Sequence, residues 1–433
     1  MNRWDVTRTL KSQALFLKWP IQAMTAHAMI GDREIALQAG CNDFYPKPFE
    51  VGEFIHFMRP YLSNWLIYHW QGWYMHNIKV LRKINVLWRL FRSFGSFMQG
   101  GRQTDQFFRY FVVKALDEIG LFDYLSEPCA FGEIMSHFQF EDAEYAQELL
   151  EVLTHDRKNL IVLDNDKYVR NLAEPMPDIA QILGAANPGI RQLSALAEAM
   201  QDSILERLKK EKVGVKDVFE RNEKKVVNTL NHLLSGDVYS TFRELSFEYL
   251  LPSERTWLQG KHLLDIGCGN GLETAELWLL SRGNIKITAV DTVPSMLELA
   301  ENQFQSLLDQ LQPGHPPLTD DNRPSFEQAN AISLPYQDNT FDAAFWSFML
   351  HWTSDPGQAI KEAVRVVKPG GLIFGSQAGK PYANPYINLV IRSSRDSYGF
   401  FWKEDLYRWA ADCGIEFDMV PAVNIFRTRT SMH

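Results

Sequence analysis

A glycine-rich turn is the first feature of the sequence that could carry chemistry. The apolar stretch His262–Ile266 runs into residues 267–271, which read GCGNG, and a helical pattern follows. Glycine lets the chain reverse tightly and lets its backbone approach a ligand, because it has no Cβ. The spacing lacks the extra residue with which GxGxxG seats a pyrophosphate on a helix N-terminus. The pattern therefore predicts a ligand that lies against the turn and needs no phosphate seat.

A carboxylate at the end of the next predicted strand is the second feature. The strand Ile285–Val290 leads directly into Asp291. One predicted helix separates this strand from the glycine-rich turn. A carboxylate at that position can accept hydrogen bonds from both hydroxyls of a ribose. Asp291 could also cap the helix that starts near Pro294, and this role is compatible with the first. The two features together predict a cofactor that contains a ribose.

Further signals follow in order toward the C-terminus. A third strand, Ser325–Ala329, ends at Asn330-Ala331, the next strand begins with Phe341-Asp342, and a helix, Ala359–Val367, leads into the turn 368–371, which reads KPGG. With the glycine-rich turn and the strand-end carboxylate, this ordered set resembles the motifs of class I S-adenosylmethionine (SAM)-dependent methyltransferases. The resemblance covers the C-terminal part of the chain.

The resemblance implies a Rossmann-like α/β domain with a mostly parallel central sheet flanked by helices, which binds SAM and needs no metal. The implied cofactor-binding residues are Asp265, Gly267, Cys268, Gly269, Gly271, Asp291, Thr292, Met296, Asn330, Ala331 and Ser347. In the family the backbone of Gly267 and Gly269 lies beside the methionine part of SAM, and Thr292 and Met296 pack near the adenine. Where the family often has Asp-Ala, this chain has Asn-Ala, and Asn330 keeps an acceptor oxygen for the adenine amino group.

A histidine after the fourth predicted strand could act on the methyl acceptor. Residues 351–355 read HWTSD, and His351 and Asp355 keep the spacing of the H-D-W-S-D pattern in O-methyltransferases, where the histidine is a general base. A phenol of pKa about 10 needs help to lose its proton at neutral pH, and such a base could contribute about 10²–10⁴-fold. Other methyltransferases have a histidine here that shapes the pocket. Both roles, base and pocket wall, stay open for His351.

The resemblance implies a methyltransferase that acts on a small-molecule acceptor. We expect O-methylation of a small, aromatic or lipophilic, hydroxylated metabolite. One alternative is a C-methyltransferase of a quinone-like or prenylated ring. Another, from a different class, is a non-catalytic SAM-binding signalling adaptor.

Composition limits the classes to which the chain can belong. Its 433 residues suggest several domains, and 45% hydrophobic with 22% charged residues is ordinary globular composition. The net charge of −9 argues against binding to nucleic acid backbones. The four cysteines form no CxxC pair, and the first twenty residues contain no secretory signal pattern. We therefore expect a cytoplasmic protein.

Residues 1–62 resemble a truncated response-regulator receiver domain. A strand, a helix ending at Gly40, a second strand and a final helix are predicted, and Thr25, Phe44 and Lys47-Pro48 match the family's switch hydroxyl, switch aromatic and phosphate-contacting lysine. The family's acidic pair and phosphoacceptor aspartate lie on earlier strands that the residues upstream cannot supply. Without them there is no Mg²⁺ site and nothing to phosphorylate. A vestigial or structural fragment and a docking role are the two interpretations.

Residues 63–102 are predicted to form a basic, aromatic-rich linker helix. The stretch contains no Asp or Glu, and its cations alternate with tryptophans and phenylalanines. Such a helix can lie in a membrane interface with its cations near anionic head groups. It can equally pack its aromatic side chains on the next domain or on a second subunit. Peripheral membrane contact and packing therefore stay alternatives.

The remaining residues are predicted to form three segments. Residues 103–175 have a helix broken at Gly120, two shorter helices and a hairpin with Asn165-Asp166 near its turn, an order that resembles the winged-helix-like dimerisation domain of small-molecule O-methyltransferases. The resemblance implies a homodimer. Residues 176–250 read as a helical connector, and residues 251–433 are the methyltransferase domain.

Overall fold

The computed structural model describes residues 22–25, 32–46, 106–155, 159–185, 201–209, 214, 217, 223–380, 385–420 and 424–431. The chain divides into two compact units, Met1–Leu81 and Arg82–His433. Among the described residues, no helix is both long enough and apolar enough to cross a membrane.

The first unit contains a two-stranded parallel sheet. Strands β1 (Gln22–Thr25) and β2 (Asp43–Pro46) pair in register, and helix α1 (Asp32–Gln38) lies between them in sequence. The predicted strand, helix and strand are thus present. Lys47-Pro48 and the predicted final helix lie outside the described residues, and the receiver resemblance stays a prediction.

The first described residues of the second unit, 106–155 and 159–170, form four helices and a small sheet. Gly120, at φ 78°, separates the first two helices where the break was predicted. The hairpin turn is formed by Asn165 and Asp166, which both have positive φ, and its strands belong to a three-stranded antiparallel sheet in the order β3, β5, β4. These elements are α2 (residues 106–118), α3 (Leu121–Tyr124), β3 (Cys129–Ala130), α4 (Phe131–His137), α5 (Ala143–His155), β4 (Ile161–Asp164) and β5 (Lys167–Arg170). The predicted elements are found, while their interpretation as a winged-helix dimerisation domain stays a prediction.

Helices connect this region to the large sheet. They are α6 (Ile179–Ala185), α7 (residues 201–208), α8 (Glu223–Leu234), α9 (Asp237–Tyr249) and α10 (Pro252–Trp257). Apolar side chains of α7 and α8, including Leu208 and Val226, belong to the same buried cluster as the helices before them.

A seven-stranded sheet forms the centre of the C-terminal region, in the order β11, β12, β10, β9, β6, β7, β8. Its strands are β6 (His262–Ile266), β7 (Lys286–Asp291), β8 (Ser325–Gln328), β9 (Phe341–Ser347), β10 (Val367–Ser376), β11 (Asp418–Val420) and β12 (Ile425–Arg429). The five from β6 to β10 pair in parallel, whereas β12 pairs antiparallel to β10 and β11. β6 and β9 are almost fully buried, as expected for central parallel strands covered on both faces.

Helices cover the sheet. They are α11 (Leu272–Leu280), α12 (Pro294–Leu311), α13 (Pro356–Val366), α14 (Pro385–Arg392) and α15 (Lys403–Asp412), and a 3₁₀ turn, Leu350–Trp352, follows β9. The predicted Rossmann-like α/β fold is therefore confirmed.

One local prediction needs correction. Residues 368–371 were expected to form a turn into the strand, but they lie within β10, where the register shifts between Val367 and Leu372. Thr430 holds this irregular segment, because its N–H donates to the Gly371 carbonyl and its carbonyl accepts from the Gly370 N–H. The antiparallel neighbour thus keeps the glycine pair in the sheet.

Candidate active site

The topology places a crevice between β6 and β9. These strands are neighbours, but the chain continues from β6 toward β7 on one side of the sheet and from β9 toward β10 on the other. In open α/β sheets, ligands bind outside the carboxyl ends of the strands at such a switch point. The glycine-rich turn follows β6 there, and the segment with His351 follows β9.

The glycines of the turn meet close neighbours. Gly267 has φ 77°, and a Cβ there would lie 2.5 Å from Cγ of Met349, the residue that precedes the 3₁₀ turn. Gly271 has φ 78°, and a Cβ there would lie 2.9 Å from Cβ of Ala300 on α12. Side chains are excluded at both positions by the backbone conformation and by space. The turn is thus packed between α12 and the segment after β9.

Asp291 shapes the same turn from the end of β7. Its Oδ2 accepts the Gly269 N–H at 3.0 Å, and its Oδ1 accepts the Val293 N–H at 3.0 Å. Burial raises the pKa of the carboxyl, against the lowering effect of these amide donors. No cationic side chain forms an ion pair with it within the described part of the chain. The spare lone pairs of this partly buried carboxylate suit the two hydroxyls of a ribose.

Asp265, in β6, has a different environment from that of Asp291. It is fully buried, and its Oδ2 accepts the hydroxyl of Thr274, on the first turns of α11, at 2.6 Å. Burial raises the pKa of the carboxyl to about 8. The Cys268 thiol is also buried, in the apolar core beneath the sheet. Only the backbone of Cys268 could therefore touch a ligand.

Thr292 and Met296 follow Asp291 on the adenine side of the predicted site. Thr292 is exposed, and its carbonyl accepts the Gln328 amide at 3.1 Å. Met296 is buried, and its terminal methyl lies 4.0 Å from where a Cβ of Gly269 would stand. Met296 therefore lies beside the turn, and Thr292 directly follows Asp291, which accepts the Gly269 N–H.

The other predicted cofactor residues lie at the ends of β8 and β9. Asn330 is exposed, and its Oδ1 accepts the Ile332 N–H at 3.1 Å, which leaves one lone pair on that oxygen. Ala331 is buried in the core between the sheet and α13. The hydroxyl of Ser347 lies 3.0 Å from that of Ser376 and links the ends of β9 and β10. Their contacts with SAM stay predictions.

His351 is buried, with 3% of its surface exposed. Its Nδ1 lies 2.9 Å from Nε2 of Gln377, the residue that follows β10. Burial lowers the pKa of the imidazole to about 3, so the ring is neutral at physiological pH. Nε2 makes no hydrogen bond to any of the residues that the structure describes. Asp355, which shares the predicted motif, instead caps α13 by accepting the Gln358 N–H at 2.9 Å.

Comparisons with known proteins agree with this geometry. A methyltransferase domain family matches residues 264–375. The ubiquinone/menaquinone biosynthesis C-methyltransferase UbiE of Hahella chejuensis is 36% identical over 141 residues, which are 33% of this chain and 50% of that protein. The UbiE protein of Brucella canis is 30% identical over 207 residues, which are 44% of this chain and 71% of that protein.

The chain belongs to the class I SAM-dependent methyltransferases. It is an enzyme of that class, and its cofactor is SAM. The chain spans about half the length of the Hahella relative.

Solved structures extend the likeness in fold beyond the methyltransferase domain. The DszA carbon methyltransferase has a TM-score of 0.57 at 11% identity, covering 83% of this chain and 97% of that one. The CurJ carbon methyltransferase has a TM-score of 0.55 at 13% identity, covering 81% of this chain and 99% of that one. At these identities the likeness concerns the fold alone. It includes much of the helical region that precedes the methyltransferase domain.

The methyltransferase has further residues at the site that sequence reasoning missed. Asn231 of α8 accepts the side-chain amide of Asn270 in the turn at 2.8 Å, and Gln303 of α12 donates to the Asn270 carbonyl at 2.7 Å. Leu234 of α8 lies 3.1 Å from where a Cβ of Gly269 would stand. The connector thus packs directly on the cofactor turn. The Asn in GCGNG was the only available signal, since its partners lie 39 and 33 residues away.

A buried arginine also holds the connector in place. Arg243 of α9 is 2% exposed, donates to the Leu234 carbonyl at 2.6 Å and forms ion pairs with Glu273 at 3.8 Å and Glu276 at 3.4 Å. Burial raises the pKa of Glu276 to about 7, against the effect of Arg243. Removing one partner of such a cluster would leave an uncompensated buried charge.

Phe348 has an unusual backbone conformation at the carboxyl end of β9. It follows β9 directly and has φ 51°, in the left-handed region that bulky residues rarely adopt. Its ring lies 5.1 Å from that of Tyr239 and 4.9 Å from that of Phe242, both on α9. Backbone strain of this kind occurs at functional sites. No sequence pattern signals it.

Proposed function

We propose that this methyltransferase transfers the methyl group to a carbon atom of a small, lipophilic, enol- or quinol-type acceptor. His351 then serves as a hydrogen-bond donor to the acceptor's oxygen. The hydrogen bond between His351 and Gln377 carries this proposal, because it determines which nitrogen of the imidazole holds the proton.

The Gln377 amide is oriented by three contacts. Its Oε1 accepts the Leu350 N–H at 3.1 Å, and its Nε2 donates to the Ala378 carbonyl at 3.1 Å as well as facing His351. If the Gln377 amide were flipped, its NH₂ group would face the Leu350 N–H and its oxygen would face the Ala378 carbonyl. Both contacts would be repulsive. Nδ1 of His351 therefore accepts, and the proton of the neutral ring lies on Nε2. In this form Nε2 can donate but cannot take a proton.

The chemistry of the acceptor follows from this tautomer. SAM, when bound, supplies an electrophilic methyl group on a positively charged sulfur. His351 cannot serve as the base, so the hydroxyl proton of the acceptor passes to solvent, and the Nε2–H group assists its loss by donating to the oxygen and lowering the pKa of the hydroxyl. A donor on the resulting oxyanion stabilises the enolate or quinolate and reduces the nucleophilicity of the oxygen. The conjugated carbon would then attack the methyl group, and the electron pair of the broken bond would remain on the sulfur. The proton on the methylated carbon would pass to solvent as the ring regains its aromaticity and the oxygen is reprotonated.

The relatives support a carbon acceptor without deciding it. The UbiE proteins are named C-methyltransferases of ubiquinone and menaquinone biosynthesis. Because of these names, a quinol-type ring is the first acceptor to test.

O-methylation is the second candidate. The helices and hairpin at residues 106–170 follow the order that resembles the N-terminal domain of O-methyltransferases. His351 could act as a base only if Nδ1 carried the proton, which would require the Gln377 amide to rotate and lose its other two contacts. Homodimer formation, cytoplasmic location and membrane contact through residues 63–102 likewise remain proposals.

The bond formed in the product tests the proposal. The full chain would be incubated with SAM carrying a ¹³C-methyl group and either a quinol with one free ring carbon or a phenol blocked at its ortho and para positions. The proposal predicts a methyl group on the quinol carbon and none on the blocked phenol. A methyl ether as the only product from either acceptor would contradict it.

A further inference from the structure

Helix α14 is attached to the N-terminal part of the second unit by buried polar contacts. The hydroxyl of Tyr145, on α5, donates to the Leu389 carbonyl at 2.7 Å. The hydroxyls of Ser203, on α7, and Ser393 lie 2.5 Å apart. These residues are all buried, and Tyr145 and Leu389 belong to one apolar cluster. The segment after β10 is thus held by residues that lie far earlier in the chain.

Asn388 connects this contact to the next loop. It is 5% exposed, and its Nδ2 donates to Oε1 of Glu148, on α5, at 2.8 Å. Its Oδ1 accepts the Phe400 N–H at 2.6 Å. Glu148 also pairs with Arg392 through its other oxygen. Both ends of the Asn388 amide are therefore used, one in each region.

The loop at Gly399 and Phe400 lies against His351. The Gly399 N–H donates to the His351 carbonyl at 3.0 Å, and the Phe400 ring is 4.9 Å from the imidazole, at 35° to it. Gly399 has φ 84°, and a Cβ there would lie 2.7 Å from Oδ1 of Asn388. The loop is thus packed between Asn388 and the histidine.

We infer that Glu148, Asn388 and Phe400 are positioning residues that set the imidazole of His351 from the N-terminal region. Glu148 accepts a hydrogen bond from the Asn388 amide and so holds its orientation. The oxygen of that amide accepts the Phe400 N–H, and this places the Phe400 ring against the imidazole of His351. The inference rests on the proposed role of His351 at the acceptor. The helical region is then part of the acceptor site, because the Glu148 carboxylate determines the orientation of His351, which lies 203 positions further along the chain.

Glu144 provides a matched control on the same helix. Its Oε1 accepts from Arg392 at 2.7 Å, but its side chain is 80% exposed and has no contact with Asn388 among the described residues. If the ion pairs with Arg392 had a purely structural role, substitution of Glu144 and substitution of Glu148 would have the same effect on the His351 signal. The positioning role predicts that only Glu148 affects His351.

The experiment exchanges donor and acceptor between the two sides. In Asn388→Asp a carboxylate faces the Glu148 carboxylate, and the repulsion should displace the loop. In the double variant Asn388→Asp/Glu148→Gln an amide donor again faces an acceptor, with the positions exchanged. Full-length protein with ¹⁵N-labelled histidine would be studied by NMR, and the His351 Nε2–H signal would be assigned by its loss in His351→Gln. The affinity for SAM would be measured alongside by calorimetry.

We expect the His351 signal to shift in Asn388→Asp, to return in the double variant and to stay in place in Glu144→Met, with SAM affinity unchanged throughout. Glu148→Met tests the same link if Asn388→Asp does not fold, and it should shift the signal as well. An unmoved signal in folded Asn388→Asp or Glu148→Met would overturn the inference, and so would a shift that the double variant does not reverse. Carbon or oxygen methylation does not enter this readout, so failure of the proposed function would be seen separately.

Discussion

The cofactor side and the acceptor side of the site are built by different kinds of contact. On the cofactor side, Asp291 accepts the N–H of Gly269, only 22 residues away, and the turn is formed largely by backbone. On the acceptor side, His351 depends on the side chain of Gln377 and on a loop that Asn388 links to Glu148, 240 residues away. The first side is formed mainly by short-range contacts within the methyltransferase domain, with Asn231 and Leu234 of α8 packed on its turn. The second depends on contacts with the helical region near the start of the second unit.

The largest effect expected on the cofactor side alone comes from Asp291→Ala. Loss of a charged acceptor costs about 1.5–3 kcal/mol per hydrogen bond, so SAM should bind roughly 10-fold to 150-fold more weakly for each hydrogen bond lost. Calorimetric titration would measure the dissociation constant, with the exposed Asp321→Ala as control. An unchanged dissociation constant would remove the ribose role from Asp291.

Asp265→Ala should instead lower the melting temperature, because that carboxyl is buried against Thr274.

A side chain added at Gly271 would test how tightly the cofactor turn is packed. Gly271→Ala would place a Cβ 2.9 Å from that of Ala300 at φ 78°, whereas Gly314→Ala meets nothing within 4 Å at a similar φ of 81°. Both substitutions share the backbone strain, and only the first adds overpacking, which costs about 1–3 kcal/mol. Urea unfolding should show that extra loss for Gly271→Ala. Equal losses would mean that the turn is not packed against α12.

The acceptor side can be tested by the pH dependence of stability. Burial lowers the pKa of His351 to about 3, while in the unfolded chain it is about 6.5. Between these values the unfolded state binds more protons, so this group's contribution to the free energy of unfolding falls as the pH drops below about 6.5, by up to about 1.4 kcal/mol per pH unit. His351→Gln lacks this term. The stability advantage of the wild type over the variant should therefore shrink between about pH 7.5 and about pH 5, and a constant difference would contradict the burial of a neutral ring.

The smallest effect is expected from the front of the chain. Removal of residues 1–60 should leave the affinity for SAM and the turnover unaltered, because the receiver-like segment lacks the carboxylates that its chemistry needs. Calorimetry and a methylation assay on the truncated protein would check this. Loss of activity in a folded truncated protein would give this segment a role in the enzyme.

The sequence predicted the two sides unequally, for a physical reason. Gly267, Gly271 and Asp291 were identifiable because the tight turn and the strand end impose residue types at short spacings. Five strands of the central sheet, β6 to β10, were predicted from the sequence, whereas β11 and β12 were not. The KPGG segment was misread as a turn, because its place in β10 depends on Thr430, the residue that follows β12 much later in the chain.

On the acceptor side only His351 was identified, with its role left open. Gln377 directly follows a strand, and Asn388 lies in an amphipathic helix, so neither has a local pattern that marks it. The strained Phe348 and the buried Arg243 are likewise explained only by tertiary contacts. Contacts between residues hundreds of positions apart leave no periodicity in a single sequence.

The protonation state of His351 tests the central claim most directly. NMR of the ¹⁵N-labelled imidazole should show Nε2 protonated and Nδ1 bare, without titration between about pH 5 and about pH 8. In Gln377→Glu a carboxylate would face Nδ1, so the proton should move to Nδ1 and the pKa should rise. A wild-type ring that carries its proton on Nδ1, or that titrates near pH 6.5, would contradict the donor role and restore the histidine as a candidate base.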